Sequence, residues 1–167
     1  YDVNGNTMGG EIRINTTTYE YQDHPDVTGL DDGGFLVTWR SERQTTGSHT
    51  DGNDTYNVYG QRYDASGATK GDEFLVNTYT SGQQWQDSVA ALEGGGFVVA
   101  WRDDNGASGS RGGSSYDIFA KTFSTSGVDT PADASSEFMV NSYTSGVQQD
   151  PSISGLAGGG FVVTWES

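Results

Sequence analysis

The sequence predicts an all-β protein made of repeated four-stranded antiparallel sheets. The first observation is internal repetition: a shared pattern occurs at residues 11–39, 73–101 and 137–165, and the copies align without a gap. The second is that glycine interrupts every window that would otherwise keep the apolar spacing of a helix. The third is composition, because 25 glycines and 9 tyrosines accompany many serines and threonines. We therefore expect strands joined by turns, and no helix.

The copies define repeat units of roughly 60 residues within one repeat-built domain that spans residues 1–167. The units are residues 11–72, 73–136 and 137–167, of which the last is incomplete, and residues 1–10 match the tail of a further unit. The sequence thus begins and stops inside its own repeat. It is interpreted either as a piece of a longer tandem array or as a protomer that a strand from another chain completes.

Each unit is expected to contain four strands. The first is short and alternating, at 12–14, 74–76 and 138–140, and the second lies at 26–30, 88–92 and 152–156. The third lies at 35–39, 97–101 and 161–165, and the fourth at 56–63 and 116–123. Both faces of the third strand are apolar or small, which predicts an interior strand. Aromatic and β-branched residues favour a sheet for the fourth.

A glycine-bearing connection joins the second strand to the third, at 31–34, 93–96 and 157–160. It is typical of a tight hairpin whose residues need positive φ. A phosphate-binding loop would instead lead into a helix, whereas a strand follows here.

Four antiparallel strands per unit, with consecutive units adjacent, predict a β-propeller-blade-like arrangement. Because propellers typically close with about four to eight blades, a three-sheet closure resembling a β-prism remains the alternative.

The charge balance limits the partners of the chain. Its formal net charge is -15 and its pI is near 4.1, so the phosphates of nucleic acid and of anionic membranes would be repelled. No membrane span is present in the sequence, and without cysteine there is no disulfide framework or thiolate chemistry. The composition is typical of an extracellular or cell-surface β protein.

Three phrases carry a resemblance to a known repeat. They are Gly-Gly-Phe-Val-Val-Thr-Trp at 159–165, Val-Tyr-Gly-Gln-Arg-Tyr-Asp-Ala-Ser-Gly at 58–67, and Glu-Phe-Leu-Val-Asn-Thr-Tyr-Thr at 73–80. They resemble a tandem repeat of very large secreted bacterial proteins of the RTX and adhesin type. The resemblance implies a secreted adhesive or matrix protein without enzymatic activity in the repeat itself. The calcium-binding nonapeptides of RTX proteins do not occur in this chain, so calcium does not follow from the resemblance.

Trp85 is the candidate ligand-binding residue. Trp39, Trp101 and Trp165 recur with the third strand and are expected to pack, whereas the position of Trp85 holds other residue types in the other copies. It is a candidate for stacking on a sugar or on a neighbouring subunit, with edge packing as the alternative.

Two acidic loops between the third and fourth strands are candidate calcium sites. The candidate ligands are Asp51, Asn53, Asp54, Asp103, Asp104 and Asn105. Their oxygens suit Ca²⁺, which takes about 6 to 8 oxygen ligands. Ordinary turn chemistry explains the same residue types, and neither loop has the spacing of an EF-hand.

Two sequons, at Asn15 and Asn53, are candidate glycosylation sites. Glycans on these residues would suit an exposed extracellular filament.

The predicted function is an extracellular structural and adhesive repeat protein that self-associates, as a filament protomer completed by strand exchange or as a tandem neighbour. A carbohydrate-binding module is the alternative. A polysaccharide-active enzyme is a distant third, because His24 and His49 are not copied between units and no catalytic motif is present.

Overall fold

The computed structural model describes residues 1–18, 21–42, 55–80, 82–104, 116–124 and 136–167. These residues form strands and turns without any helix, which confirms the all-β prediction. The strands are β1 (Gln22–Gly29), β2 (Phe35–Glu42), β3 (Tyr56–Tyr63), β4 (Phe74–Leu75), β5 (Gln84–Ala91), β6 (Phe97–Asp103), β7 (Asp117–Phe123), β8 (Phe138–Met139), β9 (Gln149–Gly155) and β10 (Phe161–Glu166). No described helix is long and apolar enough to cross a membrane.

The strands form three antiparallel sheets. Sheet A has the order β1-β2-β3-β4, sheet B has the order β5-β6-β7-β8, and sheet C pairs β9 with β10. The repeated four-stranded antiparallel sheets are therefore confirmed. None of the described sheets closes into a barrel, and the propeller-like arrangement stays a prediction.

The short first strand of a unit pairs with the fourth strand of the unit before it. In sheet A, β4 pairs with β3 through Tyr59 and Leu75, and in sheet B, β8 pairs with β7 through Phe119 and Met139. Each four-stranded sheet thus combines strands from two sequence units. The strand predicted at 12–14 is wrong, because those residues are not in a strand and no described strand lies beside them as β3 lies beside β4.

Sheets A and B share the register of their central strands. Phe35 lies opposite Tyr63 as Phe97 lies opposite Phe123, and each ring pair is stacked, with centroids 4.8 and 4.6 Å apart. Every residue of β6 is buried, which confirms the prediction of an interior strand. A cross-strand aromatic pair contributes about 0.5–1.5 kcal/mol beyond the area that it buries.

The sheets pack against one another through apolar faces. Between sheets A and B the core includes Leu36, Val58, Val89, Val99 and Trp101. Between sheets B and C it consists of small residues of sheet B packed against apolar residues of sheet C: Ala90, Val98, Ala100 and Ala120 against Ile153, Phe161 and Val163.

Two of the three recurring tryptophans are buried, as expected for packing residues. Trp39 is 4% exposed and Trp101 is 0% exposed, whereas Trp165 in β10 is 37% exposed. The difference follows from sheet C, which has two described strands instead of four.

The predicted glycine hairpins join β1 to β2, β5 to β6 and β9 to β10. Gly33 has φ 81° and Gly95 has φ 99°, and their backbone N–H groups donate to the carbonyls of Leu30 and Leu92 at 3.0 Å. A side chain at either position would be strained, which is why glycine recurs there.

Candidate functional site

A β-bulge interrupts β1, β5 and β9, which lie at one edge of their sheets and which we call the inner strands. The register shifts at 24–25 in β1, at 86–87 in β5 and at 150–151 in β9. His24 and Asp150 take positive φ values of 52° and 51° there, a region that His and Asp adopt more readily than most side chains. Bulges of this kind re-aim side chains, and they often lie next to functional sites.

The three bulges meet at one open groove with a volume of about 370 Å³. Its walls come from all three inner strands: His24, Pro25, Asp26, Asp87, Asp150 and Pro151. Three carboxyl groups and no described lysine or arginine line it, so the groove is acidic. Its chemistry suits the binding of a cationic group or the transfer of a proton.

Asp87 is the most perturbed group of the groove. It is 9% exposed, and neither carboxylate oxygen has a hydrogen-bond partner among the described residues. Burial raises the pKa of its carboxyl to about 7; the Thr38 hydroxyl acts in the opposite direction, and the charge of Asp26 adds to the rise. The Thr38 hydroxyl lies near enough to the Asp87 carboxyl to favour its ionised form, but the two groups do not have the geometry of a hydrogen bond. At neutral pH the carboxyl is therefore near half protonation.

Asp26 is used for structure. Its two carboxylate oxygens accept hydrogen bonds from the backbone N–H groups of Val27 at 2.8 Å and of Val89 at 2.9 Å. The second bond joins β1 of sheet A to β5 of sheet B.

Asp23 is also used for structure. It accepts two hydrogen bonds from the Arg40 guanidinium, at 2.7 and 2.5 Å. Burial alone would raise the pKa of Asp23, but the bonds from Arg40 and His24 outweigh it and hold that pKa below its ordinary value.

Trp85 lies in a stack of aromatic rings and guanidinium groups at the junction of sheets A and B. Arg40 and Arg102 lie over its ring, with guanidinium carbons 4.8 and 4.7 Å from the centroid. Each arginine also lies over a tyrosine at 4.4 Å, Arg40 over Tyr56 and Arg102 over Tyr116. The indole is therefore engaged within the protein, which corresponds to the packing alternative; sugar stacking on Trp85 stays a prediction.

Only part of the predicted calcium site falls within the described residues. Asp51, Asn53, Asp54 and Asn105 lie outside them. Asp103 is buried in β6 opposite Asp117, and the Asp104 carboxylate accepts a hydrogen bond from the Gln83 backbone N–H at 2.7 Å. No group of three acidic or histidine side chains with metal-binding geometry occurs in the described part of the chain.

The predicted glycosylation site at Asn15 is half-buried. Its amide nitrogen donates to the Thr17 carbonyl and to the Gln22 side chain, both at 2.6 Å. A glycan at this nitrogen would have to replace at least one of these bonds. The second predicted site, Asn53, lies outside the described residues.

The groove was not predicted from the sequence. His24 is not copied between units, and the second strand predicted in each unit begins at 26, 88 and 152, after the bulge. A signal was present, since Pro25 and Pro151 stand at the same repeat position, and proline within a strand marks a bulge or an edge.

The comparisons give no relative for this chain. Neither the protein-family models, nor the curated proteins, nor the solved structures contain a match to it.

Proposed function

We propose that this chain is an extracellular structural and adhesive repeat protein whose sheets add head to tail into a filament or tandem array. The junction of sheets A and B and the junction of sheets B and C support this proposal, because residues at equivalent repeat positions join the sheets at both. The location outside the cell is supported by the acidic composition and by the resemblance to secreted bacterial repeats. The proposal assigns no reaction to the chain.

A recurring hydrogen bond, from a backbone N–H to a side-chain oxygen, joins successive sheets. The Val89 N–H donates to the Asp26 carboxylate at 2.9 Å, and the Ile153 N–H donates to the Ser88 hydroxyl at 3.3 Å. Asp26 and Ser88 occupy the same position in the aligned copies, as do Val89 and Ile153. Equivalent hydrogen bonds therefore join β1 to β5 and β5 to β9.

Every sheet has a forward face, toward the next sheet, and a back face, toward the one before. Leu36 in sheet A and Val98 in sheet B lie on forward faces and are both 0% exposed. Val162 has the same position in sheet C and is 44% exposed. On this face of sheet C, Val162 lies beside Ser154 and Thr164, and all three are exposed within the described residues.

The back face of sheet A is the complementary surface, and its open part is at Val27, because Val37 and Trp39 on the same face are already buried with Ile14 packed against them. Val89 on the back face of sheet B is 6% exposed because sheet A covers it, whereas Val27, at the same position in sheet A, is 61% exposed. Docking the forward face of sheet C on the back face of another sheet A would bury both Val162 and Val27. This exposed pair is the observation that carries the proposal.

Such an interface is heterologous, since two different surfaces meet. Heterologous contacts build rings when the rotation closes and filaments when it does not. Burial of each valine contributes at most about 1.5–3 kcal/mol, so the array also depends on the wider sheet face.

Sedimentation velocity over a wide range of protein concentration, with electron microscopy of the largest species, tests the proposal. The wild type should associate, and Val162→Asp should not, because a carboxylate cannot be buried unpaired in the interface. Val3→Asp is the matched control, because Val3 is fully exposed outside every sheet. A wild type that stays monomeric at every concentration contradicts the proposal.

A further inference from the structure

Asp87 is a buried acid whose two carboxylate oxygens have no hydrogen-bond partner among the described residues. Its side chain is 9% exposed and lies in the wall of the acidic groove. An ionised carboxylate is costly to bury without a partner, because it loses its hydration. A ligand that carries positive charge and donates hydrogen bonds would offset this cost at the place where the oxygens lie.

The other carboxyl groups of the groove add negative charge. Both oxygens of Asp26 already accept backbone N–H groups, so this residue contributes its charge more than free acceptors. Asp150 lines the same groove from the bulge of β9, and no described lysine or arginine lies in its walls. A cleft lined by charge of one sign concentrates the electrostatic potential and attracts ions of the opposite sign.

The groove also has apolar walls and the size of a small-ligand site. Pro25 and Pro151, which occupy the same repeat position, both line it, and their rings offer apolar surface next to the carboxyl groups. The volume of about 370 Å³ falls in the range of about 300–1,000 Å³ that is typical of small-molecule sites. Acidic groups beside apolar walls suit a cation that carries a short hydrocarbon chain.

A metal ion fits this groove less well than an organic cation. Within the described ranges, acidic and histidine side chains nowhere come together in threes with the geometry of a metal site. Calcium takes about 6 to 8 oxygen ligands. An ammonium group needs fewer partners, because it donates three hydrogen bonds and a single carboxylate balances its charge.

We propose that the groove binds a short aliphatic primary amine in its ammonium form, with the ammonium group at the Asp87 carboxylate and the alkyl chain against Pro25 and Pro151. The inner strands of a single chain supply every residue of this site. The inference therefore goes beyond the proposed function and does not depend on association between chains.

The test is a nuclear magnetic resonance titration of the ¹⁵N-labelled full chain with n-butylammonium chloride at about pH 7.5, where the amine keeps its proton. Asp87 is mostly ionised there, because its pKa is about 7. The amide signals of His24, Asp26, Asp87 and Asp150 should shift saturably. Asp87→Asn should weaken binding roughly tenfold or more, because the amide cannot balance the ammonium charge.

Asp72→Asn is the matched control, since it removes one negative charge at an exposed residue outside the groove. This variant should bind n-butylammonium with the affinity of the wild type.

Two further ligands test the chemistry on the wild type itself. n-Butanol has the alkyl chain without the charge, and tetramethylammonium has the charge without N–H donors, so both should bind at least tenfold more weakly. Absence of saturable shifts with n-butylammonium overturns the inference, as do shifts confined to residues outside the groove. Equal affinity for n-butanol, or equal affinity of Asp87→Asn and the wild type, also overturns it.

Discussion

The guanidinium carbon of Arg40 lies 4.8 Å from the centre of the Trp85 ring, so a side chain of β2 in sheet A covers an indole of β5 in sheet B. Arg102 lies over the same ring at 4.7 Å. The stack therefore fixes the junction of the two sheets at one end, while the Asp26–Val89 bond fixes it nearer the middle of the inner strands.

Replacing Trp85 by leucine should lower the free energy of unfolding by about 2 kcal/mol. Leucine keeps an apolar side chain but loses two cation–π contacts, each contributing about 0.5–2 kcal/mol. Trp85→Phe retains a ring and should lose less. Urea denaturation measures both variants, and equal losses for leucine and phenylalanine would show that the guanidinium contacts contribute nothing.

Asp87 should make stability depend on pH. Its pKa rises from 3.8 to about 7 on folding, so the folded state binds the proton more tightly. The contribution of this group to stability therefore falls as pH rises from about 4 to about 7, and stays constant above that.

Asp87→Asn removes this dependence. Between pH 4 and pH 8 the variant should gain on the wild type by on the order of 4 kcal/mol. Parallel urea titrations across this range measure the difference. A difference that does not change with pH would mean that the carboxyl ionises normally in the folded protein.

The recurring tryptophans should differ in their contributions. Trp101→Ala should cost about 3–5 kcal/mol, because the ring is fully buried between sheets. Trp165→Ala should cost about 1 kcal/mol, because the ring is partly exposed and loses one hydrogen bond, from its Nε1 to Gln148 at 2.9 Å. Thermal and urea unfolding would contradict this if the two losses were equal.

The Asn77 side chain forms hydrogen bonds with backbone groups of neighbouring residues. Its side-chain oxygen accepts from the Val58 N–H at 2.8 Å, and its amide nitrogen donates to Asn57 and to the Tyr79 carbonyl. Asn77→Ala leaves the buried Val58 N–H without this acceptor and should cost about 1–3 kcal/mol.

Asn15→Ala is the matched control for Asn77→Ala. Asn15 has the same position in the aligned copies, but it is only half-buried. The smaller loss expected for this variant is measured in the same urea experiment. A loss as large as that of Asn77→Ala would contradict the role assigned to burial of the Val58 N–H.

Much of the fold could be predicted because it depends on local chemistry. Gly33 and Gly95 mark hairpins since only glycine takes their φ values freely, and the repetition of Trp101 marks a packing position. Pairing of the short strand β4 with β3 was not predictable in this way, because the partner belongs to the preceding unit and alternation alone does not select it.

The candidate site was harder to predict from the sequence, because it also depends on contacts between residues of different units. Burial raises the pKa of Asp87, which lies near Thr38 of another sheet, and Trp85 is covered by Arg40 of that sheet. Neither contact leaves a periodic signal in its own strand. The prolines at 25 and 151 did leave one, since their missing N–H groups favour a bulge.

Head-to-tail docking is tested most directly by mixing two variants that are blocked at opposite faces. Val162→Asp retains the back face of sheet A, and Val27→Asp retains the forward face of sheet C. Each variant alone should sediment as a monomer, and an equimolar mixture should form a one-to-one dimer and nothing larger. A mixture that remains monomeric while the wild type associates, or variants that polymerise alone, would contradict the account.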